Sequence, residues 1–326
     1  MARRYTYTPD KEMTFWEKLE MTNGGMYDIS NKPDTSRMAV AQAVVKISPF
    51  TVTLVNNGKV PKGNIFDAAR ISANMAAKRT WDLLPYCHPI SIDHIAVKFD
   101  MTAEGRIKII VTVKNVNKTG VEMEALTGAC IAALTIYDML KPIDDNLEVE
   151  SIKLLEKTGG LNSFLQTYDR KLRAAVLVMS DSRTQKEDKS GKAILERLAT
   201  YGVEVEEYKI IADEQKVIEV ELVRLCDKLG VDIVLTSGGT GVGPRDVTPE
   251  ATTNVIEKQV SGISETLRAY GQKRTPLSML SRGTGGVRGG TVIVNLPGSE
   301  RAVKESLDSL FPGIMHIFQM LEGHGH

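Results

Sequence analysis

From residue 64 to 78 (NIFDAARISANMAAK) apolar side chains recur at helical spacing among many alanines, which predicts a helix leading to a turn at Pro85 and Pro89. A strand pattern follows at 94–99. Residues 107–113 are β-branched apart from Lys108 and predict another strand, and 122–140 is a long, mostly apolar run that predicts a helix ending before Pro142. Strands and helices interleave here without a regular strand–helix–strand count, so an α+β domain of ferredoxin-like type is expected. Beyond Gly159 and Gly160 the chain turns polar and then changes its pattern. Buried strands are expected at 174–180, 231–237 and 291–296, and a further strand at 203–211. Helices are expected at 190–201, closed by Gly202, at 214–229, stopped by Gly230, and at the end of the chain. Continuously apolar strands alternating with helices predict a doubly wound, mainly parallel α/β domain with ligands at the carboxyl ends of the strands.

The chain has 326 residues, long for one core, and the change of pattern places two domains at 1–165 and 170–326 in a protein that is α/β overall. The linker carries Arg170, Lys171 and Arg173 and no Gly/Ser or Pro repeat. With 42% hydrophobic and 25% charged residues the composition is ordinary for a globular protein. Lys plus Arg and Asp plus Glu both total 41, so no global field draws the protein to nucleic acid or anionic lipid, and any affinity for phosphate must be built locally. Cys87, Cys130 and Cys226 are too scattered for a disulfide framework and fit reduced thiols in a cytoplasm. The first ten residues lack the apolar segment of a secretory signal, and no stretch approaches the ~18 consecutive apolar residues of a spanning helix, so a cytoplasmic protein without membrane contact is expected. His324 and His326 read as an inert tail rather than a metal site.

In the first half, polar groups concentrate at Lys62-Gly63, at 78–88 (KRTWDLLPYCH) and at 117–141. Asp138 and Lys141, three apart on a helix, share a face. They could exchange protons or form a solvated ion pair worth a few tenths of a kcal/mol, and spacing leaves both open. His88, between Cys87 and Pro89, is equally open between a catalytic and a structural part. Arg70, Lys78 and Arg79 could bind a polyanion or form a charged face. The segments KGNIFDAARI, AAKRTWDLLPYCHP, KTGVEMEALT, ALTIYDMLK and LLEKTGG, with smaller echoes at Met26-Tyr-Asp-Ile-Ser30 and Arg37, resemble the motif series of the cyclic pyranopterin monophosphate synthase (MoaC) family over roughly residues 20–162.

The resemblance implies conversion of a cyclised GTP intermediate to cyclic pyranopterin monophosphate with loss of pyrophosphate and no required cofactor. It places Lys62, Asp138 and Lys141 at catalytic positions and Tyr86, Cys87, His88, Met123 and Glu124 in substrate-binding segments, with Glu122, Lys157 and Arg70 as secondary contributors. Two lysines beside a polyphosphate would be held charged by phosphate and pushed toward neutrality by one another, poising one as a base. Asp138 would then relay protons, with Asp138 and Lys141 doing acid/base work while Lys62 and His88 orient or protonate the substrate. If one helix carries Glu124 and Asp138, fourteen residues at ~1.5 Å rise set them about 21 Å apart, too far for one small site in one subunit. A pocket across a dimer interface would reconcile this, and the resemblance implies shared sites in a hexamer built as a trimer of dimers. Asn64 departs from the family, which usually has Asp after Lys-Gly.

In the second half, Ser237-Gly-Gly-Thr-Gly-Val-Gly243 follows a buried strand and could cradle a phosphate on its backbone N–H groups or simply form a tight turn. It lacks both the Gly-Lys-Ser/Thr ending of a P-loop and a full GxGxxG. Arg245 and Asp246 lie beside it, before a helix starting at Pro249. Asp213 ends the previous strand. Two aspartates at adjacent strand ends could hold Mg²⁺ on ATP phosphates, although helix capping would also account for Asp213. VLVMSDSR, IIADE, TSGGTGVGPRDVTPEAT and MLSRGTGGVRGGTVIVNLPGS resemble the MoaB/Mog molybdopterin adenylyltransferase family, related to the N-terminal domain of gephyrin, over about residues 172–322. This implies Mg²⁺-dependent transfer of AMP from ATP to molybdopterin. Asp213 and Asp246 match the essential aspartates and Gly238, Gly239, Thr240 and Gly241 the phosphate loop, while Ser180, Asp181, Asn295, Pro297, Gly298 and Ser299 would help form the pocket. The alternatives are a synthase with a second half that only binds molybdopterin or assembles the oligomer, and a scaffold, which need not retain Lys62, Asp138 and Lys141. The threefold symmetry implied for both halves predicts a homo-hexamer.

Overall fold

The computed structural model describes Tyr5–Thr6 and residues 24–181 and 184–323. The leading residues and the His324/His326 tail considered above lie outside this range, Tyr5 and Thr6 excepted. The chain divides into two compact units, one formed chiefly by Asp34–Ser163 and the other chiefly by residues 164–323.

The first unit runs β1 (Thr35–Lys46), α1 (Pro49–Asn56), α2 (Ile65–Lys78), α3 (Thr80–Leu83), β2 (His94–Met101), β3 (Arg106–Asn117), α4 (Glu122–Leu140) and β4 (Glu148–Gly159). Its strands pair in the order β2-β3-β1-β4, antiparallel throughout. That is the ferredoxin-like arrangement expected from the sequence. Alternation sets the core: Ala39, Ala41, Ala43 and Val45 of β1 and Ile107, Ile109, Val111 and Val113 of β3 are buried against Ala125, Ala129, Ala132 and Ile136 of α4 and Ala69 and Ala73 of α2. Small side chains let the helices come close. A Cβ at Gly128 would stand 3.2 Å from Val111 Cγ1 and 3.3 Å from the carbonyl of Ala73. By length and composition α4 could cross a membrane, but it packs on the sheet as a core helix does.

The second unit runs β5 (Arg173–Met179), α5 (Lys189–Thr200), β6 (Glu204–Ile211), α6 (Gln215–Val223), β7 (Ile233–Ser237), α7 (Thr248–Val255), β8 (Lys258–Gln259), α8 (Ser261–Gln272), β9 (Gly285–Arg288), β10 (Thr291–Leu296), α9 (Glu300–Leu310) and α10 (His316–Leu321). The sheet order is β8-β9-β10-β7-β5-β6, parallel from β10 to β6 and antiparallel at the β8-β9-β10 edge. The central strands are apolar without alternation because each face has its own core. Val176, Val178 and Val294 join Ile194, Leu307 and Phe318 on one face, and Ala175, Leu177 and Ile293 join Ile218, Leu222 and Ala251 on the other. Gly230, at φ 63°, ends the wider turn Arg224–Leu229 that continues α6. β6 and β7 flank β5, so chain direction across the sheet reverses at β5. A doubly wound sheet opens its ligand crevice at such a switch point.

Candidate functional site

In the first unit the two ends of α4 carry separate clusters. At its carboxyl end Asp138 sits between two lysines. Lys62 Nζ donates to Asp138 Oδ2 and to its backbone carbonyl, both at 2.8 Å, and Lys141 Nζ lies 2.7 Å from Oδ1. Lys62 reaches across from the α1–α2 connection, where Gly63 takes φ 94°. It thereby satisfies one of the open carbonyls of the last helical turn. Asn64 caps α2, its Oδ1 accepting from Phe66 N at 3.0 Å and Asp67 N at 3.2 Å. Its Nδ2 donates to Asp67 at 2.8 Å, a contact that an aspartate could not make. Lys141 first and Lys62 second hold the Asp138 carboxyl down to about 2, and Asp138 in turn raises the Lys141 ammonium. The carboxylate between the two cations thus offsets the repulsion by which each lysine would push the other toward neutrality.

At the amino end of α4, Glu124 is 4% exposed, and burial first, with Glu122 adding to it, pushes its carboxyl up to about 7 against a local backbone hydrogen bond. Cys87 is raised by burial and by Glu124. His88 Nε2 lies 2.8 Å from the carbonyl of Tyr27, so that nitrogen carries the proton. Lys157 pairs with Glu122 at 3.4 Å, while Tyr86 and Met123 are exposed. Arg37 donates from Nε and Nη2 to the carbonyls of Asn117 and Lys118, each at 2.9 Å, and so braces the turn before α4. Arg70 pairs with Asp67 and lies over the Phe99 ring, while Arg79 pairs with Asp82. These two cations thus have separate local partners. Because α4 is unbroken, Glu124 and Asp138 are about 21 Å apart along it.

In the second unit the loops after β5, β6 and β7 meet over the switch point. Asp213 and Asp246 do not follow adjacent strands as expected from the sequence, since β5 lies between β6 and β7. Their carboxylates nevertheless face one glycine loop. A Cβ at Gly239, where φ is 61°, would stand 3.1 Å from Asp213 Oδ1 and 2.3 Å from Thr248 Oγ1. Asp246 Oδ2 accepts from Gly243 N at 2.7 Å. Thr248 N donates to Gly239 O at 3.1 Å and its hydroxyl to Gly238 O at 3.0 Å. Gly238 N donates to Leu296 O at 3.2 Å, tying the loop to β10. The position before α6 belongs to Glu214, which makes no side-chain cap bond, and Asp213 stands one residue before it. Asp181 accepts from Asp213 N at 3.3 Å and pairs with Arg245, and Ser180 N donates to Ile211 O at 2.9 Å.

Beside the loop a cleft of about 290 Å³ is lined by Asn295, Pro297 and Ser299 together with Ser264, Thr275 and Ser281. Gly298 backs onto Gly238, a Cβ there standing 3.3 Å from the Gly238 Cα. Asn295 is buried, with Nδ2 donating to Thr236 at 3.0 Å and Thr252 at 2.9 Å and Oδ1 accepting from Thr284 N at 3.2 Å, so it forms wall rather than an open hydrogen-bonding group. Ser299 caps α9. Thr248, Thr252 and Arg282 are positioned here without having been singled out from sequence, although all three lie inside the quoted motifs.

Residues 26–160 match the MoaC family and residues 175–316 match the probable molybdopterin binding domain. A molybdenum cofactor biosynthesis bifunctional protein of Chlorobaculum tepidum is 40% identical over 303 residues, covering 92% of this chain and 96% of that one. The chain belongs to the bifunctional molybdenum cofactor biosynthesis proteins. A second such protein, from Synechococcus elongatus, is 35% identical over 315 residues, covering 92% of this chain and 98% of its own length. The first unit alone is similar to a cyclic pyranopterin monophosphate synthase of Clostridium perfringens, 46% identical over 139 residues, covering 42% of this chain and 88% of that one. The bifunctional protein thus joins a MoaC unit carrying the Asp138 triad to a molybdopterin-binding-type unit carrying the glycine loop.

Proposed function

We propose that the bifunctional protein makes cyclic pyranopterin monophosphate from a cyclised GTP intermediate in its first unit and transfers AMP from ATP to molybdopterin in its second. The Lys62–Asp138–Lys141 triad carries the first assignment. Asp138 holds Lys141 charged, and both lysines can meet a polyphosphate. A polyphosphate that draws them from Asp138 removes what holds its carboxyl down, so substrate binding itself turns Asp138 into a stronger base beside two proton donors. Tyr86 to His88, Glu122 to Glu124 and Lys157 form the other substrate-binding segment, and its distance from Asp138 supports a pocket completed by a second subunit within a hexamer. Asp138→Asn is expected to lower synthase turnover by a factor of about 10² or more while circular dichroism stays unchanged, and full turnover by a folded variant would sink the assignment.

For the second unit the carrying observation is that Asp213 and Asp246 face one glycine loop beside the 290 Å³ cleft. With Gly238 N and Gly243 N engaged, an anion would meet the amides between them. Two carboxylates suit Mg²⁺, which keeps most of its shell as water and substrate phosphate; among the described residues no group of three potential protein ligands offers a closed cage. Bound Mg²⁺ would supply charge neutralisation on the nucleotide phosphates. The loop would hold those phosphates, and the cleft would seat the molybdopterin. The balanced formal charge supports an enzyme of small-molecule substrates rather than one drawn by a global field to nucleic acid or anionic lipid. The test is Mg²⁺-dependent AMP transfer to molybdopterin by the intact chain with Asp246→Ala as control. Loss in the control is expected. Molybdopterin binding without transfer by the unaltered chain would leave the second unit a binding or assembly module.

A further inference from the structure

A single arginine outside the glycine loop fastens it at several points. Arg282 follows the Pro276–Leu280 turn. Its backbone N–H donates to Thr240 O at 2.9 Å, its Nε to Gly241 O at 2.6 Å and its Nη2 to Asp246 O. Nη1 pairs with the Glu250 carboxylate in the first turn of α7. Inside this brace lies the Asp246 carboxylate, so close to the loop that a Cβ on Gly241 or Gly243 would stand 2.8 Å from Oδ2. Three nitrogens of one planar fork therefore serve three separated acceptors in fixed directions, whereas a lysine carries its three donors on one atom and cannot span them. Glu250, its carboxyl held below the ordinary range chiefly by Arg282, offsets the guanidinium charge on the outer side. The arginine is thus committed to main-chain carbonyls rather than offered to a phosphate.

We propose that Arg282 is a positioning residue for nucleotidyl transfer, fixing residues 241–246 so that Asp246 presents its carboxylate to the divalent cation that carries the nucleotide phosphates. The proposal rests on the adenylyltransferase reading of the second unit. Without the fork, the carbonyls of Gly241 and Asp246 lose their donors and the loop that carries Asp246 is free to shift. Groups that orient a metal-binding residue in this way typically change metal affinity or activity by about 10- to 100-fold when altered.

The test uses the full chain with Arg282→Lys, which keeps the charge and removes the fork, and Arg282→Ala. With Mg²⁺ titrated at saturating ATP, Arg282→Lys is expected to raise the half-saturating Mg²⁺ concentration about tenfold and to lower kcat by about 10- to 100-fold, leaving KM for molybdopterin unchanged. Added guanidinium ion is expected to restore part of the activity of Arg282→Ala. Apart from turnover, paramagnetic resonance of Mn²⁺ with α,β-methylene-ATP should show weaker cation binding by Arg282→Lys. An Arg282→Lys protein with the wild-type metal response overturns the proposal alone, as does a rise in KM for molybdopterin matching the other losses, which marks general loosening. Absence of transfer by the unaltered chain overturns the adenylyltransferase reading and the proposal with it. Should the alanine variant not fold, the lysine variant decides.

Discussion

Replacing Glu124 by glutamine should remove a pH dependence from the stability of the first unit. The carboxyl stands in the first turn of α4, 4% exposed, and burial raises it from 4.5 to about 7. A displacement of about 2.5 units corresponds to about 3 kcal/mol between the two protonation states. In the fold the group keeps its proton up to about pH 7, whereas the unfolded chain releases it near 4.5, so the folded state binds more protons between these values. Stability must then fall by about 3 kcal/mol as the pH rises through that window and stay level, as far as this group is concerned, above it. Glutamine cannot ionise and has no such descent. The difference in unfolding free energy between variant and wild type should therefore shift by about 2–3 kcal/mol in the variant's favour from pH 4.5 to 8. Urea unfolding followed by the emission of Trp81, which stands in α3 of the first unit, measures this once the other tryptophan, Trp16, is replaced by phenylalanine, and the difference at each pH cancels the other titrating groups. A difference that stays constant across the range, or moves toward the wild type, would show that Glu124 is already ionised in the fold and would refute the argument.

Asn64→Ala removes the cap of α2 and should cost about 1 kcal/mol by thermal unfolding, whereas Asn64→Asp keeps the acceptor but sets a second carboxylate against Asp67 and should change stability by less than that. Gly239→Ala requires a Cβ at φ 61° and 2.3 Å from Thr248 Oγ1, so adenylyl transfer and loop order should both be lost, read by assay and by proteolysis at residues 238–246. Since the Asp138 carboxyl is held near 2, its pairs with Lys62 and Lys141 should persist from pH 7 to 4 and break only as the pH falls through about 2, visible in carboxyl carbon chemical shifts.

Helix α4 was legible because a long apolar run stops one residue short of Pro142, and the parallel strands β5, β7 and β10 were legible because burial on both faces makes them short, mostly apolar runs. The central strand β1 was not predicted. Its inward positions are Ala39, Ala41 and Ala43, and alanine marks strand poorly even when fully buried. The edge formed by β8 and β9 and the helix α8 were also unread, since a two-residue strand has no periodicity and β9 begins with two glycines. The glycine loop and both aspartates stood out in sequence as a site, but not their relation across β5, which only strand order supplies. Arg282 is bound to carbonyls 36 and 41 residues away, and no local pattern announces such a contact.

The straight run of α4 also fixes an angular relation. At about 100° per residue, the fourteen steps from Glu124 to Asp138 return to within about 40° of the starting azimuth, so both carboxyls project from nearly one side of the rod. Inserting one residue between them would turn Asp138 by about 100° while moving it only ~1.5 Å, out of reach of Lys62. The segment between them should therefore resist single-residue insertions and deletions far more than it resists substitution, and tolerated length changes should come in whole helical turns, compensated by a shifted partner at the carboxyl end.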